Sequence, residues 1–127
     1  MNKKLVFMVM LIVSLALCFF SCDPVPFAIT ITDIPSTSGY TYGYVGLGKG
    51  NDVVAVSLPV PISGGKFTGE LVDAKSNGAF ADIGTYTVIL SISSDTRGQD
   101  VKWSGAKLNT KVDGDISLKY NQFSPLK

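Results

Sequence analysis

Apolar residues occupy every second position in several segments of the chain after residue 26. The pattern begins at Phe27, Ile29 and Ile31, and two longer runs follow at 54–62 and 86–92. The alternating apolar positions of these runs are Val54, Val56, Leu58, Val60 and Ile62, and then Tyr86, Val88, Leu90 and Ile92. Strict alternation predicts half-buried β-strands, and no segment after residue 22 has a convincing helical period.

The C-terminal part of the chain carries two more alternating segments, 108–112 and 116–120. A three-residue turn at 113–115 would join them with their apolar side chains on one face, whereas a two-residue turn would mix the faces. The sequence therefore predicts a hairpin with these opposed pairs: Val112 with Ile116, Thr110 with Leu118, and Leu108 with Tyr120. A second turn is predicted at 63–66, in the segment SGGK.

Two prolines mark the lateral side of one predicted strand. Pro59 and Pro61 lack backbone N–H groups, and groups two residues apart point to the same side of a strand. That side cannot be paired, so the run 54–62 is predicted to be an edge strand.

The spacing of the predicted strands defines a fold class. About seven strands at this spacing predict a single antiparallel β-sandwich over 27–127, Ig-like or related, with a small closed β-barrel as the alternative. All thirteen glycines and all six prolines follow Cys22, between the apolar runs. This composition is typical of an all-β domain with short connections.

Aromatic residues supply the candidate binding positions. Tyr40, Tyr42 and Tyr44 alternate with Thr41, Gly43 and Val45, which predicts a stripe on one strand face. Burying three hydroxyls is costly unless each finds a partner, so the stripe is a candidate recognition patch, with a core or rim position as the alternative. Trp103 joins the candidate patch. Trp103 is at an odd-numbered position, whereas Leu108 and Val112 are at even-numbered ones, so a regular strand would put them on opposite faces. This predicts a bulge or bend near Gly105.

The N-terminal segment has a different pattern. Lys3 and Lys4 precede a run, 5–20, in which only Ser14 is plainly polar. This is typical of a secretory signal peptide, with a transmembrane helix as the alternative. Pro24 and Pro26 would end a helix, and no basic cluster follows them, which favours a cleaved signal.

The segment Phe19-Phe20-Ser21-Cys22 resembles the lipobox of bacterial lipoproteins with a type II signal peptide. Phe19 stands where the strict motif has leucine, as in relaxed, spirochaete-type lipoboxes, while Cys18 follows the larger Leu17. The resemblance implies that the signal peptide 1–21 is removed and that Cys22 carries acyl chains such as palmitate. Residues 22–26 would then form a tether, anchoring the protein to a membrane of the cell envelope. Two acyl chains suffice for stable attachment. The membrane and leaflet stay open.

The rest of the chain is similar, through looser motifs, to small β-sandwich lipoproteins of treponeme-type spirochaetes. The motifs are ITITDIP at 29–35, GKFTGELVD at 65–73, IGTYTVILSI at 83–92 and a closing aromatic at Phe123. This resemblance implies a fold and an envelope location, and it implies no ligand.

Composition removes several kinds of chemistry. The chain has no histidine, and with Cys22 acylated and Cys18 discarded it has no thiol, so zinc sites and Ser–His or Cys–His nucleophiles are excluded. Asp113 and Asp115 flank a glycine as turn residues, and too few oxygens surround them for calcium. We expect no metal and no cofactor. Without Lys3 and Lys4, nine of the eleven basic residues remain against ten acidic ones, which argues against nucleic-acid binding.

These observations predict a non-catalytic, membrane-anchored interaction module whose ligand is a protein or a glycan. A purely structural envelope lipoprotein is the alternative, and a hydrolase using Asp or Glu alone is a weaker one. It would need two convergent carboxylates with a shifted pKa facing one cleft. Glu70 and Asp73 lie on opposite faces of a regular strand, so they do not form such a pair. The sequence leaves the oligomeric state open.

Overall fold

The computed structural model describes residues 25–126, which form ten strands and one short 3-10 helix at Tyr120–Gln122. The strands are β1 (Ala28–Thr32), β2 (Tyr42–Lys49), β3 (Asp52–Val56), β4 (Val60–Pro61), β5 (Phe67–Glu70), β6 (Val72–Asp73), β7 (Gly84–Ser93), β8 (Val101–Val112), β9 (Ile116–Lys119) and β10 (Ser124–Pro125). The predicted signal peptide and Cys22 lie outside the described residues. Within 25–126, no helix has the length and apolar character needed to cross a membrane.

The strands form a β-sandwich, which confirms the predicted fold class. One sheet has the order β10-β8-β7-β2-β3-β6, with β4 also paired to β2, and the other has the order β5-β1-β9. All described pairings are antiparallel except that of β1 with β9, which is parallel. The parallel pair arises because the first strand and the ninth enter the small sheet from the same end.

The core lies between the sheets and follows the period-two pattern where that pattern is strictest. Tyr86, Val88, Leu90 and Ile92 of β7 are all buried, as are Ile29 and Ile31 of β1. Burying an aliphatic side chain of this size contributes about 1.5–3 kcal/mol relative to exposure. These two strands therefore supply much of the apolar contact that holds the sheets together.

Two glycines let the sheets approach closely. A Cβ atom on Gly43 of β2 would lie 2.3 Å from the ring of Phe67 on the opposite sheet, and one on Gly69 would lie 2.6 Å from the hydroxyl of Ser57. The Ser57 hydroxyl accepts the backbone N–H of Val45 at 2.9 Å and is buried. Glycine at 69 thus leaves room for a side chain that pairs a backbone donor of β2.

The prediction of one strand over 54–62 is wrong in two respects. The segment is not continuous, and some of its apolar side chains face solvent and not the core. It is divided into β3 and β4, and the pairing of β3 with β2 shifts register so that Val54 is an extra residue. Ala55 then faces inward opposite Leu47, while Val56 and Leu58 are 39% and 73% exposed. The facing is set by pairing with β2 and not by the apolar pattern of this segment alone.

The prolines fit the predicted edge only along the second half of that segment. β3 lies between β2 and β6 and is not an edge. Beyond it, the N–H of Ile62 donates to Thr41, so the nitrogens of Pro59 and Pro61 point away from β2. Within the described residues no strand pairs with β4 on that side.

The predicted hairpin over 108–120 is wrong, although both strands exist. β8 pairs with β7 and β10 in the large sheet, whereas β9 pairs with β1 in the small sheet. The turn at 113–115 therefore crosses between sheets, and the carboxylate of Asp115 accepts the N–H of Ala28 at 2.9 Å. Strand β8 has two register shifts against β7, one at Lys102 and one at Leu108 and Asn109, which lie on either side of Gly105, and the second leaves Leu108 67% exposed.

The turn at 63–66 is confirmed. Ser63 and Lys66 exchange two backbone hydrogen bonds, and Gly64 and Gly65 between them have φ of 62° and 75°. Two consecutive positive φ values are easy only for glycine, and they match the twist of a two-residue hairpin turn.

The sandwich has two ends, which are defined by the strand registers. The N-terminal end contains Val25, the start of β7 and the turn at 113–115, since Ala28 bonds to Asp115 and Gly84 pairs with Val112. The distal end contains the loops 33–41, 63–66 and 94–100 and the helix at Tyr120–Gln122. Strand β8 runs between the two ends.

Candidate site at the distal end

Tyr40 leaves the predicted tyrosine stripe and packs on the core. It precedes β2 in a turn where Gly39 has a φ of 88° and the N–H of Tyr40 donates to Thr37 at 3.0 Å. Because this turn breaks the extended register, Tyr40 contacts the core cluster. Its side chain remains only half-buried.

Trp103 and Tyr120 join Tyr40 at this end. The rings of Trp103 and Tyr120 lie 4.5 Å apart between centroids at an interplanar angle of 39°. Trp103 sits above Gly105, where a Cβ atom would lie 2.4 Å from the indole. Burial and, to a lesser extent, the adjacent Tyr40 side chain together raise the pKa of the Tyr120 phenol to about 12. We call these three residues the distal aromatic cluster.

The other two tyrosines lie on the outer face of the large sheet. Their neighbours Gly43 and Val45 are buried, so Tyr42 and Tyr44 point away from the core. The Tyr44 hydroxyl donates to the carbonyl of Gly98 at 2.9 Å and braces the β7–β8 loop. Both are half-buried, and the structure separates them from the distal aromatic cluster.

A cleft adjoins Tyr40. Its volume is about 440 Å³ and none of its lining residues is charged. It is lined by Ile34, Pro35, Ser36, Thr37, Tyr40, Ile62, Gly64 and Gly65. We call it the distal cleft. It combines one aromatic ring, two hydroxyl side chains and the bare backbone of the glycine turn.

The distal cleft is shaped by loops that the backbone fixes. The N–H of Ile34 donates to the carbonyl of Gly65 at 2.9 Å, which ties the β1–β2 loop to the glycine turn. A Cβ atom on Gly65 would lie 3.0 Å from the Ile34 carbonyl, so glycine is needed for this approach. The two walls of the cleft therefore hold a fixed separation without any ligand.

A second cleft lies at the N-terminal end and has a volume of about 280 Å³. Asp73 and Asp82 line it, together with Lys49, Lys75 and Tyr86. The Asp73 carboxylate accepts the N–H groups of Ser76 and Lys75 at 3.0 and 2.9 Å, and these bonds lower its pKa. A carboxyl acid needs a raised pKa to donate a proton near neutrality, so Asp73 serves the turn and not acid catalysis.

Tyr86 is the other titratable group in that cleft with a shifted pKa. Burial raises the pKa of its phenol, and the nearby charge of Asp82 raises it further. Its hydroxyl donates to the Asp82 carbonyl at 3.0 Å, and the Lys49 ammonium lies 5.5 Å from its ring centroid. The phenol is thus a neutral hydrogen-bond donor, and its bond to Asp82 holds the loop before β7 against the strand. Among residues 25–126, no three acidic or sulfur ligands cluster as a metal site would require.

Sequence reasoning identified Tyr40 and Trp103 but missed Tyr120 and the cleft. The alternating pattern predicts Tyr120 on a hairpin face, and nothing in its local sequence indicates contact with Tyr40, eighty positions earlier in the chain. Comparison with protein-family models, with curated proteins and with solved structures finds no match to this chain.

Proposed function

We propose that this protein is a lipid-anchored lipoprotein of the bacterial cell envelope whose distal end is a binding surface. Cys22 is the proposed acylation site. The observation that carries the proposal is the position of the distal aromatic cluster, which lies at the end of the sandwich opposite Val25. Val25 itself is only three residues after the proposed anchor at Cys22.

The distance between the two ends supports this arrangement. Trp103 and Val112 lie nine residues apart in β8, and a strand rises about 3.3 Å per residue, so the ends are separated by roughly 30 Å. An anchor near Val25 would leave the half-buried rings of Tyr40 and Trp103 facing away from the bilayer. Half-exposed aromatic residues are enriched at binding surfaces, where their rings add contact area at low entropic cost.

A purely structural lipoprotein is the competing function. Tyr44 favours it, because its hydroxyl is used inside the fold to hold Gly98. The distal cleft favours the binding function, since its open volume beside Tyr40 serves no packing role.

Labelling cells with radioactive palmitate tests the anchor. We expect label in the wild-type protein, loss of label in Cys22→Ala, and unchanged label in Cys18→Ala, because only the cysteine after the small Ser21 suits the lipobox. Label retained in Cys22→Ala would show that the assignment is wrong.

A further inference from the structure

We infer that the distal cleft binds an uncharged carbohydrate, with Tyr40 as the stacking platform. This inference rests on the proposed function and names its ligand class. The cleft is concave, and its volume of about 440 Å³ lies in the range of small-ligand sites, roughly 300–1,000 Å³. A protein partner would need a larger surface, about 800 Å² on each side.

The lining indicates the chemistry of the ligand. A sugar ring has an apolar face of C–H groups and a periphery of hydroxyls. The half-buried Tyr40 ring can stack on the apolar face of the sugar. The hydroxyls of Ser36 and Thr37 and the turn backbone at Gly64 can form hydrogen bonds with the sugar hydroxyls. No lysine, arginine or carboxylate lines the cleft, so a charged ligand would find no ion-pairing partner among the lining residues.

The platform is held in place before a ligand arrives. Tyr40 packs against the hydrophobic core and lies beside Tyr120, whose ring centroid lies 4.5 Å from that of Trp103. Gly64 leaves open space, since a Cβ atom there would have no neighbour within 4 Å. Fixing the ring in advance reduces the entropy lost on binding. The same chain of contacts links the cleft to Trp103, the single tryptophan of the protein.

Titration with neutral oligosaccharides tests the inference. Chitotetraose, cellotetraose and maltotetraose are added to the full chain in lauryldimethylamine oxide, a detergent without a sugar headgroup. We expect at least one to change Trp103 fluorescence saturably and to shift the amide resonances of 34–40 and 62–65. Tetragalacturonate, an anionic control, should not bind.

Variants locate the site. Tyr40→Ala should weaken binding at least about tenfold, the loss expected for one stacking partner. Tyr42→Ala, on the outer face, is the matched control and should keep wild-type affinity. Thr37→Val changes an exposed loop residue without threatening the fold, and it should also weaken binding.

Two results would overturn the inference. One is the absence of saturable binding by all three oligosaccharides, and the other is binding that Tyr40→Ala and Thr37→Val leave unchanged. A photo-crosslinker at position 36 that then captures an envelope protein would identify a protein ligand instead. In that case the binding function of the distal end would stand, and palmitate labelling would test the anchor separately.

Discussion

Two positions in this protein need glycine because a side chain of the opposite sheet lies directly over each of them. Gly43 lies under the ring of Phe67, and Gly69 lies under the hydroxyl of Ser57. Taken from the sequence alone, the three glycines of β2, at positions 43, 46 and 48, weaken a strand prediction. The structure shows instead that the inward-facing glycine of β2 sets the separation of the sheets, while Gly46 on the outer face has ordinary space around it.

A pair of alanine substitutions in β2 tests this difference. Gly43→Ala should lower the free energy of unfolding by about 1–3 kcal/mol, because the new methyl group overlaps the buried Phe67 ring. Gly46→Ala is the matched control, since its Cβ would lie 3.6 Å from the nearest atom, the Ala55 carbonyl oxygen. It should be neutral or stabilising by up to about 1 kcal/mol. Urea unfolding measures both, and equal midpoints would contradict the role of Gly43.

Whole strands were predictable where one pattern decides their position. In β1 and β7 the alternation is strict and both lateral sides are paired, so local pattern and final facing agree. The pairing of β8 with β9 was not predictable in this way. Two strands with one apolar face each satisfy that face equally well as neighbours in one sheet or as opposite walls of the core. Register arithmetic does not distinguish these outcomes.

The candidate site, like the pairing of β8 and β9, was only partly predictable from the sequence. Tyr40 and Trp103 stood out as exposable aromatic residues within their own segments. Their convergence depends on Tyr120, on a turn at Gly39 and on a loop contact between Ile34 and Gly65. The contacts of Tyr120 with Tyr40 and of Ile34 with Gly65 join segments far apart in sequence, so no single segment carries a sign of them, and the turn at Gly39 breaks an alternation that the sequence presents as regular.

Pro61 in β4 and Pro59 just before it predict an effect on association. Pro59→Val with Pro61→Val would restore two outward N–H donors on an open strand edge and add β-branched side chains. We expect this double variant to aggregate faster than the wild type, as measured by light scattering and thioflavin fluorescence. Pro35→Val, in the exposed β1–β2 loop, is the control and should not aggregate faster. Equal rates for the double variant and the wild type would mean that other features protect this edge.

The molecule as a whole is polarised between its two ends. The N-terminal end holds Val25, the first described residue, and the cleft lined by lysines and aspartates, and the distal end holds the uncharged cleft and the aromatic cluster. The proposed anchor at Cys22 would thus present different chemistry to the membrane and to the space beyond it.

Tryptophan quenching in vesicles tests this orientation. In acylated full-length protein reconstituted into brominated phosphatidylcholine, Trp103 fluorescence should stay unquenched, since it lies roughly 30 Å from the N-terminal end. Moving the tryptophan to the 70% exposed Ile83 at that end, through Ile83→Trp with Trp103→Phe, should produce quenching. Stronger quenching at Trp103 than at position 83 would reverse the proposed orientation.

The parallel pairing of β1 with β9 has a consequence for the timing of folding. β1 is the central strand of the small sheet, and its partners are residues 67–70 on one side and 116–119 on the other. If the protein is exported as proposed, the first strand to leave the translocation channel would wait for nearly the last before its hydrogen bonds are complete. Such non-local closure is slow, so an acyl chain at Cys22 would be attached to a chain that has not yet finished folding.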